Sequence, residues 1–320
     1  MNQPTIRRLL ALMRREFWEN KGAFRTTPIV IGLIHIGLLL MTIFTTAHFD
    51  NELYTFREAV RMLAQQPSEF RAEHVYEVML GSSVFFTIVL AVVLFFYLLG
   101  SLYDDRKDRS ILFWKSLPAS DSLTIASKLL SAMVTAPLCF WLVFVLTQML
   151  ATVIAAVMVL SVGENPWTLF ISEMNPLKVW FMLACSYLAT SIWFLPLAGW
   201  LMLVSAFSPR VPLLFALLPP IVFAILQTWL DFLRTFTLDS NLFGIFGQWI
   251  ANSPAILTAQ VRDGSGEVAL GIAVQGRFDH SVTLANILER LFSLEMLGGL
   301  AVAAAFLTAA LWLRRRATDN

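Results

Sequence analysis

The sequence predicts an all-α integral membrane protein with six transmembrane helices, and three observations carry that prediction. Of 320 residues, 58% are hydrophobic and only 14% are charged, against about 25% charged in ordinary soluble domains. Mean hydropathy is +0.70. Charged residues are also cleared from six long intervals: Arg25 to Asp50, Glu77 to Asp104, Lys128 to Glu164, Lys178 to Arg210, Arg210 to Asp231, and Glu295 to Arg314. A helix needs about 20 apolar residues to cross the hydrocarbon core, and a charge at mid-span costs about 2.5–3.5 kcal/mol. The spans are placed at 28–47, 79–102, 129–160, 180–205, 212–230 and 295–313. In water so much apolar surface would aggregate, which excludes a soluble enzyme, a disordered chain and a disulfide scaffold. The net charge of +1 gives no support to a nucleic-acid partner. Cys139 and Cys185 lie in apolar stretches and read as small buried hydrophobes.

Before the first span, Thr5 to Lys21 carries Ile6, Leu9, Leu10, Met13 and Phe17 at helical spacing, with Arg7, Arg8, Arg14 and Arg15 mostly opposite. This is an amphipathic interfacial helix whose basic side chains suit anionic lipid headgroups. It reads either as a topology anchor or as a lever on the first span. The connection from His48 to Val78 is polar, with Arg57, Arg61 and Arg71 among its charges, and predicts a small outer helical cap.

The connection after the second span is the most informative stretch. Leu102 to Pro118 reads LYDDRKDRSILFWKSLP. Asp104 and Asp105 suit the N-terminus of a short helix, Pro118 stops it, and Ser120 or Asp121 caps the next span. A solvated loop has no need of Ile111, Leu112, Phe113 and Trp114 in a row. Such a cluster marks contact with a partner or with the bilayer, and the residues alone leave both open.

Within the spans, Pro137, Pro196 and the pair Pro219-Pro220 favour kinks in the third, fourth and fifth. The third charge-free run would exceed the roughly 30 Å core as one straight helix, so it tilts or projects. Gln148 and Gln227 are the candidate polar residues of a pathway; their alternative role is hydrogen bonding across helices. Ser240 to Val261 is also free of charge but carries Gly244, Gly247, Asn252 and Pro254. It reads as a re-entrant outer segment, irregular backbone being tolerated only against protein, with a seventh full span as the alternative. With the N-terminus inside, fifteen of the 23 basic residues fall on inner segments and eight on outer ones, which puts both termini in the cytoplasm.

The sequence has no phosphate-binding loop, no zinc-protease motif and no nucleophile elbow. The expectation is a chain that is not an enzyme, with no catalytic residue, metal or bound cofactor.

The pattern LYDDRKDRSILFWKSLPASD, from Leu102 to Asp121, resembles the permease subunits of ABC transporters of the ABC-2 class, as does REFWEN (Arg15 to Asn20) before the first span. The resemblance covers the layout of the whole chain and a specific motif of 102–121. It implies a cytoplasmic connecting helix at 1–27 and an ABC-2 type transmembrane domain at 28–320. It further implies a separate ATPase subunit that uses the ATP, a second permease copy, and the inner membrane of a bacterium. Asp104, Asp105, Arg106, Asp108, Arg109, Ile111, Leu112, Phe113 and Trp114 would form the coupling helix that meets the ATPase, and 240–261 the re-entrant outer helices. Export of a hydrophobic or lipid-like substrate is the expected activity. An ATP-independent carrier or channel and a non-transporting membrane scaffold are the competing classes.

Overall fold

The computed structural model describes residues 3–48, 50–108, 120–232, 242–251, 253 and 284–316. Among them the fold is all-α, and the chain is a multi-pass integral membrane protein. Five helical stretches are long and apolar enough to cross a membrane: Gly22–Thr45, Ser68–Lys107, Asp121–Ser161, Pro212–Leu230 and Leu294–Arg316. Pro176–Trp193 and Leu195–Phe207, bent by 53°, make six if the pair is one broken span. Each overlaps one of the charge-free intervals, as expected if the cost of a charge in hydrocarbon sets the pattern.

The elements are α1 (Gln3–Glu19), α2 (Thr27–His48), α3 (Asp50–Gln65), α4 (Ser68–Gly81), α5 (Ser83–Gly100), α6 (Tyr103–Lys107), α7 (Asp121–Leu130), α8 (Ala136–Ser161), α9 (Pro176–Trp193), α10 (Leu195–Phe207), α11 (Pro212–Phe232), α12 (Leu242–Ala251), α13 (Leu284–Leu291) and α14 (Leu294–Arg316). π-Helical turns at Gly22–Thr26, Ser131–Thr135 and Trp167–Ile171 join or precede them. Two compact units result: Met1–Glu19, Ala91–Ala136 and Cys185–Asn320 form unit 1; Asn20–Leu90 and Pro137–Ala184 form unit 2.

In unit 2, Gly32 of α2 lets Thr147 of α8 approach closely: a Cβ at Gly32 would lie 2.6 Å from Thr147 Oγ1. Small residues serve this purpose where helices pack in lipid. Phe86 and Phe144 meet edge to face at 5.4 Å. The connection between the first two spans forms two helices, α3 and α4, as its polarity suggests. Val60 of α3 packs with Val159, Val162 and Leu169, and Phe56, Leu63 and Phe170 close around them. Arg61 pairs with Glu164 at 3.7 Å and Arg71 with Glu173 at 3.5 Å. Arg71 also donates to the carbonyl of Gln66 at 2.9 Å, closing the turn between α3 and α4.

In unit 1, α10 lies along α14, and Gly199 sits so close that a Cβ there would be 3.2 Å from the Ala303 carbonyl oxygen. The fourth span breaks at Phe194, next to Pro196. The break is wedged by α12: Trp249 stacks on Trp193 with ring centroids 4.6 Å apart and its carbonyl accepts the Trp193 indole N–H at 2.9 Å. Gly299 of α14 faces that ring, and a Cβ there would also lie 3.2 Å from Pro196 Cγ. Pro137 follows the π-turn at 131–135, whereas Pro219 and Pro220 lie inside an unbroken α11. The expected re-entrant segment contains the helix α12 at Leu242–Ala251; residues 240–241, 252 and 254–261 lie outside the described residues. Cys139 and Cys185 are free thiols, and both are half-buried and not the buried core residues expected.

Gly299→Leu is expected to drive the Trp249 ring from its slot and destabilise the protein by about 1–3 kcal/mol, the usual cost of overpacking. Thermal unfolding in detergent measures it, and adding Trp249→Ala should recover part of the loss.

Candidate functional site

The site grows from α6. The chain leaves α5 through a turn at Ser101 and Leu102, and the amides of Leu102 and Tyr103 both donate to Ser205 Oγ of α10 at 2.9 Å. That satisfies two donors at a helix start which would otherwise lack partners. Arg106 reaches the other way: its guanidinium donates to the carbonyls of Ser205 and Ser208, both at 2.8 Å, at the C-terminal end of α10. A cation there answers the free carbonyls and the helix dipole. Tyr103 donates its hydroxyl to the Arg210 carbonyl at 2.7 Å. The five-residue helix is thus bolted to the end of the broken span.

Asp104 and Asp105 occupy the first turn of α6, as expected, but they point differently. Asp104 is exposed and Asp105 is buried. Asp105 accepts from Arg314 Nη1 at 3.0 Å and lies 3.5 Å from Lys128 Nζ. Lys128 also pairs with Glu16 of α1 at 3.2 Å, and Arg314 with Asp121 at 3.2 Å. Tyr97 donates its hydroxyl to Glu16 Oε2 at 3.0 Å. The result is a chain of alternating sign: Glu16, Lys128, Asp105, Arg314, Asp121. It joins the N-terminal helix, the base of the third span, the segment after the second and the end of the last. Glu16, Lys128, Asp105 and Arg314 are 1%, 5%, 8% and 3% exposed, so these are desolvated ions that only their partners compensate.

Local sequence explains the alignment. Asp121 and Lys128 are seven residues apart on α7, about two turns, and share a face. Ser120 caps that helix as expected, accepting from the Leu123 amide at 3.3 Å, so the face is fixed from its first turn. On α1 the buried face centres on Glu16, with Leu9, Met13 and Phe17 partly covered, while Ile6 and Leu10 remain exposed. The expected single apolar face is corrected accordingly: Glu16 must reach Lys128 and Tyr97, and this turns Ile6 and Leu10 outward.

Of the expected coupling residues, Asp105 and Arg106 therefore anchor the segment from inside, while Asp104 and Asp108 are exposed. Arg109, Ile111, Leu112, Phe113 and Trp114 lie outside the described residues. Glu16, Tyr97, Lys128, Ser205 and Arg314 were not foreseen. Lys128 and Arg314 mark the ends of charge-free runs, and that was the one signal they carried.

The candidate pathway glutamines belong to different units. In unit 2, Gln148 donates to the Met79 carbonyl at 3.1 Å and to Ser82 Oγ at 3.3 Å, and accepts from the Trp180 indole at 2.6 Å. It ties three helical segments together. Gln227 is buried on α11 in unit 1. Among the described residues no group of histidine, cysteine or carboxylate side chains is placed to hold a metal ion. Comparison with family models, curated proteins and solved structures finds no match.

Three outcomes test these contacts. Lys128→Met strips the cation shared by Glu16 and Asp105 and is expected to destabilise by about 3–5 kcal/mol. In a cycle of Asp105→Asn and Arg314→Gln, the double variant should deviate from additivity by about 0.5–3 kcal/mol; strict additivity in detergent unfolding would show that the pair is not coupled. Gln148→Leu leaves the Trp180 N–H without its acceptor and is expected to cost about 1–3 kcal/mol by the same measurement.

Proposed function

We propose that this chain is the permease subunit of an ATP-binding-cassette transporter of the ABC-2 class, acting as an exporter in the inner membrane of a bacterium with both termini in the cytoplasm. The motif from Leu102 to Asp121 and the layout of six apolar runs support that reading. The observation that carries it is the anchoring of α6. Its inner face is joined through Asp105 to the third span, the last span and the N-terminal helix, and through Arg106 to the broken fourth span. A segment held this way passes on any displacement imposed on its outer side.

In this reading the ATPase subunit meets the exposed edge of α6, at Asp104 and Asp108, together with Ile111 to Trp114 beyond it. A second permease copy completes the pathway. ATP binding closes the ATPase pair and favours one arrangement of the spans over the other, because a ligand shifts an equilibrium only by its differential affinity for the two states. This chain binds no nucleotide of its own, and its reaction is transport of an apolar substrate.

The experiment is co-purification in mild detergent with a C-terminal tag. The wild type is expected to retain an ATPase, and a folded Phe113→Asp, Trp114→Asp variant to lose it. Transport by the purified chain without any ATPase would instead establish a carrier. Retention of the ATPase by the double variant would move the contact off 111–114.

A further inference from the structure

The fourth span is bent by 53° between α9 and α10, and the backbone change that makes the bend is small. One residue, Phe194, leaves the helical region, at φ −85° and ψ 12°, so a turn of about 55° in ψ would return it to α-helix. The hydrogen-bond ladder closes on both sides of it. The Phe194 amide donates to the Thr190 carbonyl and the Ala198 amide to the Phe194 carbonyl, both at 2.9 Å. Pro196 removes one donor, which favours a kink. It does not impose a break, because Pro219 and Pro220 lie inside α11 and leave that helix whole.

What distinguishes Pro196 is the ring beside it. Trp249 of α12 stacks on Trp193, the buried residue just before the hinge. Its carbonyl accepts the Trp193 indole N–H, and Gly299 of α14 leaves the room that its ring takes. The ring reaches the bend from a helix whose other described side chains lie mostly outside the packing. Ile245, Gln248 and Ile250 are exposed, and a Cβ at Gly247 would meet nothing within 4 Å. One cation secures this helix: Arg290 of α13 donates to the Ser253 carbonyl at 2.8 Å, just past the C-terminal end of α12, where a basic group suits the helix dipole. Arg290 is positioned in turn by Ile287, buried on α13, and by the turn into α14, where the Met296 amide donates to Ser293 Oγ at 3.2 Å.

We infer that the fourth span has two forms and that α12 selects between them as a removable prop. With Trp249 in its slot and Arg290 on the Ser253 carbonyl, the span is bent. With α12 withdrawn, Phe194 returns to helix and α9 runs on into α10, as α11 runs through its own two prolines. Pro196 makes the hinge possible, Trp249 holds it open and Arg290 locks Trp249 in place. The inference concerns the span itself and does not rest on the transport reading.

The test is a spin-label distance across the hinge in the full-length protein, held in phosphatidylcholine nanodiscs. One label goes on the native Cys185 and the other on Phe207→Cys, with Cys139→Ser removing the second thiol. At about 1.5 Å per residue the two arms from Phe194 are about 14 and 20 Å long, which puts their ends about 30 Å apart at a bend of 53° and about 33 Å apart when straight. Trp249→Ala is expected to lengthen the distance by that difference. Arg290→Gln, which leaves the ring intact, is expected to add a second population at the longer distance. Pro196→Ala is expected to keep the shorter one, since the prop remains. Equal distances in the parent and Trp249→Ala overturn the inference, and so does a straight span in Pro196→Ala. If Trp249→Ala does not fold, Arg290→Gln decides: a single population at the parent distance overturns the inference as well.

Discussion

The polar architecture of unit 1 hangs on one constraint: five ions at the base of the spans, four of them taken out of water, must alternate in sign. Three carboxylates and two cations do so from Glu16 through Lys128, Asp105 and Arg314 to Asp121. Desolvating an ion costs several kcal/mol even after relaxation, and only close, well-oriented partners offset it. Each interior member therefore fixes two neighbours. Lys128 cannot move without weakening the compensation of both Glu16 and Asp105. Four segments distant in sequence are held together by groups that gain little from being apart.

Unit 2 meets the same problem with a different group. Gln148 lies well inside a charge-free run, where an ion would be prohibitive, and a neutral amide replaces it. Its donors reach Met79 and Ser82 and its acceptor takes the Trp180 indole. The Trp141 indole in turn donates to the Trp180 carbonyl at 2.8 Å. Ionic chains thus sit at the edge of the hydrocarbon and neutral hydrogen bonds within it, as the cost of burying each group type requires.

This division explains what was legible in the sequence. Span positions were legible because the cost of a charge acts locally, residue by residue, and leaves intervals such as Lys128 to Glu164 empty. The Ser120 cap and the break beside Pro196 were legible because cap chemistry and the missing proline N–H are local too. The helical connection of α3 and α4 was readable from polarity, though not its packing on Leu169. The ion chain was hidden because its pairs are remote: Arg314 and Asp105 are 209 residues apart. A lysine or arginine at the end of a span looks the same whether it faces water or a buried carboxylate. The inward turn of Glu16 was hidden for that reason, and with it the true orientation of α1.

A buried ion chain also sets how motion can pass through it. Packed side chains accommodate small shifts poorly, and buried ions less still, since a pair drawn apart by the width of a water molecule is already partly solvated. The chain is stable in contact or opened to water, with little between. Under the proposed function, a displacement of the segment after the second span would then act on α1, α7 and α14 together and not in proportion. That is the two-state behaviour through which interfaces amplify small movements. It gives the coupling a physical carrier in named contacts, which spatial closeness alone would not supply. Arg106 extends the argument to the broken span. Its two carbonyl acceptors lie at the end of α10, and α10 begins at the bend that Trp249 wedges. One short helix of five residues therefore bears on an ionic joint on one side and a steric joint on the other, and it is the position in unit 1 from which both can be moved at once.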